Sequence, residues 1–404
     1  MEQHIVIVGG GLAGVRAAEG ARYTGYEGPI TIVAAEDVTP YERPPLSKDL
    51  LTGDAGLEDA VIHDADWFRE NGIGLRVDTR VALIDPEKQL AIVDESDQIP
   101  YTELILATGA SPHRLDIEGD HLSLIGSLRT VEDARVVRSL LEQQKKVVIV
   151  GAGWLGTEVA AAASEHGCDV TVVSRSEVPM QRVLGDRFGA YLRELHERRG
   201  VEFVTGATPV EYSGDDQVRQ VHLDDGRVLD ADMVIEAIGA RPRVGLAETA
   251  GVDVDDGVLV DESLRTSRAH IWAVGDIANH LHPFYGTRIR SEHWSVARNQ
   301  GFHAGRGAAG DAAPYDRLPM FFTDQYDMGM EYRGHAPDFD EVIFRGSTES
   351  DEFLIFYLEA GVVRAVVNVN TWGIGDEIEA LLRAEPSPDR RAIADWETPL
   401  SELF

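Results

Sequence analysis

"HIVIVGGGLAGVRAAEGAR", His4–Arg22, decides the fold. An apolar run of strand character leads into Gly9-x-Gly11-x-x-Gly14, and a helical pattern follows. In a strand–turn–helix unit the first glycine permits the tight turn and the second lets a pyrophosphate approach the backbone. The third lets helix and strand pack closely. The N-terminal end of the helix then faces the negative charge. Ala13 falls inside this loop. "PITIVAAED", Pro29–Asp37, reads as the next strand and ends at Glu36. A carboxylate about 20 residues beyond the glycines can accept hydrogen bonds from a ribose. The stretch predicts a dinucleotide-binding unit.

The same plan returns in "KKVVIVGAGWLGTEVAAAASEHG", Lys145–Gly167, followed by "CDVTVVSRS". Its glycines are Gly151, Gly153 and Gly156, with Leu155 inside the loop. The two units begin about 140 residues apart, which indicates a duplicated fold and not a short-period repeat. The second unit lacks the acid. Its strand ends in Ser174-Arg175-Ser176. A carboxylate there would repel a 2′-phosphate, whereas an arginine and hydroxyls would accept one. The lean is to NADPH. Glu177 close by counts against it, and Arg175 pointing to solvent is the alternative.

Between the units, "TRVALIDPEKQLAIVD" and "YTELILATGA" read as strands, and "TVEDARVVRSLLEQQ" reads as a helix. Further on, "RAHIWAVGDIAN" is a strand ending in Gly275-Asp276, and "SEHWSVARNQGFHAGRGAAG" is helical. From about Leu318 the chain turns rich in aromatic and β-branched residues between glycine turns, as in "MFFTDQYDMGMEYRG" and "EFLIFYLEAGVVRAVVNVN". That pattern predicts an antiparallel sheet. "GIGDEIEALLRA" adds a helix before a polar tail. The expected fold class is α/β: two Rossmann-like dinucleotide-binding domains, one for a bound redox cofactor and one for an exchanging hydride donor, and a C-terminal α+β domain with an antiparallel sheet. The expected boundaries are residues 1–112 with 244–318 for a discontinuous first domain, 113–243 for the second and 319–404 for the third.

Composition narrows the functions. The 404 residues carry a net charge of −33, and phosphate repels such a surface, so direct nucleic-acid binding is not expected. The excess acid serves solubility or salt tolerance. No apolar run reaches the roughly 18 residues that span a bilayer. The first strand begins at His4 and leaves no room for a leader, so the expected localisation is cytoplasmic. The thirteen histidines show no metal-ligand spacing, and His280 and His282 read as solvent-exposed. One cysteine, Cys168, cannot form a disulfide or an intramolecular dithiol, and it reads as core packing.

"PYERPPLSK", Pro40–Lys48, is stiff, cationic and free of cysteine. Prolines fix φ and lower the entropy of a free loop. With the two glycine loops, "ATGA", "LRTVEDA", "AVGDIA", "EHW" and "FFTDQYD", it resembles the FAD-dependent, NAD(P)H-linked ferredoxin reductases of bacterial oxygenase systems, which have the glutathione reductase fold. The resemblance covers nearly the whole chain, and "PYERPPLSK" and "FFTDQYD" are its most specific parts.

The resemblance implies roles. Lys48 would reach the flavin N5 region and pair with Glu158, the two forming the catalytic pair, and Arg43 would sit over the cofactor. Gly9, Gly11, Ala13, Gly14, Glu36, Val81, Ala107, Thr108, Gly109, Arg129, Gly275, Asp276 and Trp294 would complete the FAD site. Val81 would begin the strand on its adenine side. Phe322 would stand where some relatives place a tryptophan against the flavin, and Thr323 replaces a serine. Gly151, Gly153, Leu155, Gly156, Glu158, Ser174, Arg175, Ile238 and Gly239 would hold NAD(P)H. No metal site is implied.

Disulfide reductases pass electrons from flavin to a thiol pair. Without one, electrons must leave the flavin directly, and the implied partner is an iron–sulfur ferredoxin feeding a haem-thiolate monooxygenase or a Rieske dioxygenase. Arg288, Arg290, Arg298, Arg306 and Arg333 are candidates for its docking patch, or equally for surface ion pairs. Two alternatives stay open: a reductase of rubredoxin, ascorbyl radical or oxygen, and a redox signalling protein like apoptosis-inducing factor. A monomer and a homodimer both remain open.

Overall fold

A computed structural model describes residues 3–403. They form two compact units. The first comprises residues 3–43, Leu57–Ser111 and Ala240–Arg317. The second comprises Pro44–Gly56, Pro112–Gly239 and residues 318–403.

The first unit is built on a five-stranded parallel sheet. Its order is Ile271–Ala273, Glu103–Leu106, Ile5–Val8, Ile30–Val33 and Ile73–Arg76. Register runs from Ile5 against Ile30 on one side and Glu103 on the other. All four residues of the central strand are buried. Parallel strands covered on both faces read as unbroken apolar runs, and "IVIV" is one. The helices Leu12–Tyr23 and Trp294–Ala308 cross closely. A Cβ at Gly301 or Gly305 would stand 2.2 or 1.9 Å from the carbonyl oxygens of Ala13 and Ala17. Glycine is required at that crossing, and the crossing fixes the helix that begins with Trp294.

The second unit repeats the plan. Its parallel sheet runs Glu202–Thr205, Asp169–Ser174, Lys146–Val150, Met233–Glu236 and Ile125–Gly126. The helix Trp154–Glu165 follows its central strand, as Leu12–Tyr23 does in the first unit. The same unit contains a five-stranded antiparallel sheet in the order Met320–Gln325, Met328–Gly334, Val362–Val369, Glu352–Glu359 and Glu341–Ser347. One face packs on the helix Gln181–Glu197 through Phe188, Tyr191 and Leu192. The other packs on the helix Gly375–Ala384 through Ile378, Leu381 and Leu382.

Three expectations change. His280 and His282 are 1% and 2% exposed, not solvent-facing. Both lie on one face of the strand Ala278–His282, and their Nε2 atoms bond the carbonyls of Glu262 and Arg317. The tail is not wholly polar: Ile393, Leu400 and Leu403 are buried in the core beside the Gly375–Ala384 helix. Cys168 is half-buried, not core, with its thiol toward the Leu141 carbonyl at 3.4 Å. Among the described residues no helix is long and apolar enough to cross a membrane.

Candidate functional site

The two glycine loops share one construction. Gly9 has φ +131°, and a Cβ there would meet the Ala107 carbonyl oxygen at 2.1 Å. Gly151 has φ +108°, and its Cβ would meet the Ala237 oxygen at 2.4 Å. The third glycine of each loop, Gly14 or Gly156, would strike the oxygen of the first at 2.0 Å. At the middle glycines, Gly11 and Gly153, nothing lies within 4 Å of the added atom. Each of these precedes a 12-residue helix without a side-chain cap. The first backbone N–H groups of such an uncapped helix lack intrahelical partners, and beside a glycine with free space they form a cradle for a pyrophosphate. The residues fit two dinucleotides.

Beside the first loop, Glu36 lies three residues past its strand and not at its end. Its carboxylate accepts hydrogen bonds from the Tyr41 hydroxyl at 2.6 Å and from Arg43 at 2.8 Å. Burial pushes the Arg43 guanidinium pKa down, but Tyr41, Glu36 and Asp276 outweigh it and the net shift is upward. The arginine is a fixed cation. Ala107, Thr108 and Gly109 follow the strand Glu103–Leu106, and the Thr108 hydroxyl donates to the Arg243 carbonyl at 2.9 Å. Gly275 and Asp276 begin a short 3₁₀ turn, and the Gly275 N–H donates to Gln300 on the Trp294–Ala308 helix. The Trp294 indole donates to Glu42 at 3.1 Å, so its ring is oriented from the "PYERPPLSK" segment. Val81 is buried and stands two residues before the strand Leu83–Asp85, which corrects its expected place as the start of that strand. All these residues lie in the first unit.

Lys48, Arg129 and Phe322 lie in the second unit. Arg129 precedes the helix Val131–Leu141, whose capping box joins Thr130 and Asp133. Its N–H donates to the Asp133 carboxylate at 3.0 Å. Pro44–Ser47 form one 3₁₀ turn, and Lys48 follows it directly. Lys48 Nζ sits 2.6 Å from Glu158 Oε1. The Ser47 hydroxyl donates to Glu158 Oε2, and the Thr323 hydroxyl donates to Oε1 at 2.6 Å. Three segments thus converge on one carboxylate: the proline turn, the helix after the second glycine loop and the strand Met320–Gln325. Lys48 and Glu158 side chains are 16% and 10% exposed, so water screens the pair little. The Phe322 ring is half-buried with its centroid 5.6 Å from Lys48 Nζ. Burial raises the pKa of Asp324, Lys48 opposes that rise, and Glu158 adds to it.

Around the second loop, Ile238 packs on the sheet core and Gly239 takes φ +100°. Leu155 is half-buried in the first turn of the Trp154–Glu165 helix. Ser174 is buried at its strand's end, its hydroxyl oxygen accepting from the Ser176 N–H at 3.1 Å. Arg175 and Glu177 are exposed. The docking candidates are engaged: Arg290, Arg306 and Arg333 form ion pairs, Arg288 bonds two carbonyls, and Arg298 lies 5.3 Å from the Trp294 ring centroid. Ser47, Tyr41 and Glu42 were missed as site residues, although each lies inside the quoted proline segment.

Two glycine-looped folds in one chain, with a lysine–carboxylate pair and no cysteine pair, define a flavin- and nicotinamide-dependent oxidoreductase of the thiol-free kind. Residues 3–301 match the family model described as pyridine nucleotide-disulphide oxidoreductase, and residues 320–404 match the reductase C-terminal model. The ferredoxin–NAD(+) reductase component of the anthranilate 1,2-dioxygenase system of Burkholderia cepacia is 37% identical over 96% of both chains. A rubredoxin–NAD(+) reductase of Pseudomonas putida is 35% identical over 91% of this chain and 95% of its own. The reductase in the crystal structure of the covalent putidaredoxin reductase–putidaredoxin complex superposes with a TM-score of 0.94, at 32% identity, covering 99% of this chain and 98% of that one. The chain belongs to the pyridine nucleotide-disulphide oxidoreductases, in their ferredoxin reductase branch. Membership implies FAD and a pyridine nucleotide as its cofactors.

Proposed function

We propose that this chain is the reductase of an oxygenase system. It carries electrons from NAD(P)H through FAD to an iron–sulfur ferredoxin, which supplies a haem-thiolate monooxygenase or a Rieske dioxygenase. FAD, when bound, accepts electrons as a hydride and releases them singly. The observation that carries this reading is the Lys48–Glu158 pair, held beside the second glycine loop in a chain with a single cysteine.

We assign FAD to residues 1–112 and 244–318, NAD(P)H to 113–243, and the partner surface to 319–404. In the first region Gly11 leaves the helix N-terminus open to a pyrophosphate. Glu36 keeps lone pairs for ribose hydroxyls while Tyr41 and Arg43 hold it in place. Arg43 and Asp276 supply fixed charges, and Trp294 a fixed aromatic wall. In the second region Glu158 neutralises and aims Lys48, whose remaining N–H groups can meet a developing negative charge. Phe322 offers an aromatic face without an indole N–H. Arg175 has no ion-pair partner among the described residues, although the chain has 70 acidic residues to supply one. That supports a 2′-phosphate and hence NADPH. Partner docking relies on local charge and not on the net charge, which is unfavourable for an acidic ferredoxin.

Two measurements test the reading. Cytochrome c reduction by the FAD-loaded protein should be slow until a [2Fe–2S] ferredoxin is added; equal rates without it would refute the acceptor. Rubredoxin, favoured by the 35% identical relative, is the second acceptor to screen. For the nucleotide, kcat/KM should favour NADPH, and Arg175→Ala should cut that preference about tenfold, one exposed charge-assisted contact. Equal or better turnover with NADH in the parent protein would overturn NADPH.

A further inference from the structure

Glu158 is the end point of a longer chain of buried contacts. On the strand Met320–Gln325, side chains alternate between faces, so Thr323 and Gln325 share one face and are each 1% exposed. The Thr323 hydroxyl donates to Glu158 Oε1 at 2.6 Å. Gln325 Nε2 approaches Thr323 Oγ1 at 3.1 Å and Thr157 Oγ1 at 3.0 Å. Gln325 Oε1 lies 2.8 Å from His196 Nε2, and His196 Nδ1 lies 3.2 Å from the Tyr326 hydroxyl. His196 is fully buried.

The protons have only one consistent arrangement. Thr323 gives its proton to the carboxylate. Thr157 gives its proton to the Gly153 and Trp154 carbonyls. Both hydroxyl oxygens can therefore only accept, and the Gln325 amide must turn its NH₂ group to them. Its carbonyl then faces His196, which must carry its proton on Nε2. His196 Nδ1 is left as an acceptor for the Tyr326 hydroxyl. From Tyr326 through His196, Gln325 and Thr323 the donors run toward Glu158, and bonds aligned in this way polarise one another.

We propose that Thr323, Gln325 and His196 are positioning residues for Glu158, a one-way buried chain that holds the carboxylate aimed at Lys48. This rests on the reading of Glu158 as a member of the nicotinamide-side pair. The charged group that faces it is Lys48, and Asp324, on the other face of the strand Met320–Gln325, adds a negative charge nearby. Around His196 they are fewer: Phe203 and Tyr326 pack on its ring, and Arg199 and Glu165 lie beyond Tyr326. Burial lowers the His196 pKa to about 4, consistent with a neutral ring in this role.

The test is flavin reduction by NAD(P)H in a stopped-flow instrument, which separates the limiting rate from the nucleotide concentration at half-saturation. Glu158→Gln should lower the limiting rate by about one to two orders of magnitude. Thr323→Val removes one hydrogen bond to a charged group and should lower the limiting rate about tenfold with half-saturation unchanged. Gln325→Met and His196→Phe should lower it by less, and Thr323→Ser should restore it. A Thr323→Val limiting rate equal to wild type, with the loss still present in Glu158→Gln, overturns the chain. An unchanged limiting rate in Glu158→Gln overturns the role of Glu158 itself. A second measurement needs no variant of the chain's members: in the ¹⁵N-histidine-labelled holoprotein His196 should carry its proton on Nε2 at pH 7. A proton on Nδ1 would reverse the polarity and refute the proposal.

Discussion

The Lys48–Glu158 pair invites a double-mutant cycle. At 2.6 Å and an effective dielectric of 20, the gross attraction is about 6 kcal/mol. Taking both groups out of water offsets most of it. Removing one partner of a buried pair costs about 3–5 kcal/mol, because the other charge stays behind. Ser47 and Thr323 still donate to Glu158 in Lys48→Met, and the side chains keep some exposure. The single change should therefore cost roughly 2–3 kcal/mol. In the double variant Lys48→Met/Glu158→Gln no charge is stranded, and the cost should fall to about 1 kcal/mol. The assay is the first urea transition of the FAD-loaded protein. With a slope of about 3 kcal/mol per molar, Lys48→Met should lower its midpoint by just under about 1 M, with most of the loss recovered in the double variant. Flavin reduction should slow in Lys48→Met by one to two orders of magnitude, about the worth of one placed charge. Single effects that simply add, within about 0.5 kcal/mol, would refute a working ion pair.

Gly153→Ala faces open space, so it should fold normally and lose pyridine-nucleotide affinity, whereas Gly156→Ala meets the Gly151 oxygen at 2.0 Å and should fold poorly. Matching melting curves for the two would contradict this, and so would an unchanged nucleotide titration of Gly153→Ala. The net charge of −33 predicts self-repulsion that salt screens, since the Debye length falls from about 10 Å at 0.1 M to about 3 Å at 1 M. The melting temperature should rise by several degrees between 0.1 and 1 M KCl, and a flat response would remove repulsion as a term. Burial lowers the His280 pKa to about 4 from its ordinary 6.5. The unfolded chain then binds more protons, so this contribution to stability is present above pH 6.5 and is lost as the pH falls toward 4. Replacing His280 with Asn should flatten that slope by up to about 1.4 kcal/mol per pH unit; an unaltered slope in urea titrations would exclude it.

Both glycine loops were legible because their chemistry is local. Strand, turn and helix are contiguous, and the two loops repeat the same clash geometry against Ala107 and Ala237. The pairing of Lys48 with Glu158, 110 positions apart, is not a local pattern, and it was reached only through the resemblance. His280 and His282 show a different limit. Their spacing of two does place them on one face of a strand, but spacing alone does not say whether that face meets solvent or the core.

"FFTDQ" shows the same limit at the site itself. Period-2 alternation divides it into Phe322 and Asp324 on one face and Thr323 and Gln325 on the other. The sequence drew attention to the aromatic residue, since an aromatic beside a flavin has an evident use. The other face has a use only when the helix Trp154–Glu165 lies against it, bringing Thr157 and Glu158 165 or more positions away to within hydrogen-bond reach. His196 joins across 129 positions by the same route. A threonine and a glutamine in a strand are unremarkable until their protons are counted. Once Thr323 and Thr157 are committed as donors, the orientation of Gln325 and the tautomer of His196 follow without further choice. Specificity in this site is therefore distributed: the charged pair supplies the energy, and neutral side chains on the opposite face of one strand supply the direction.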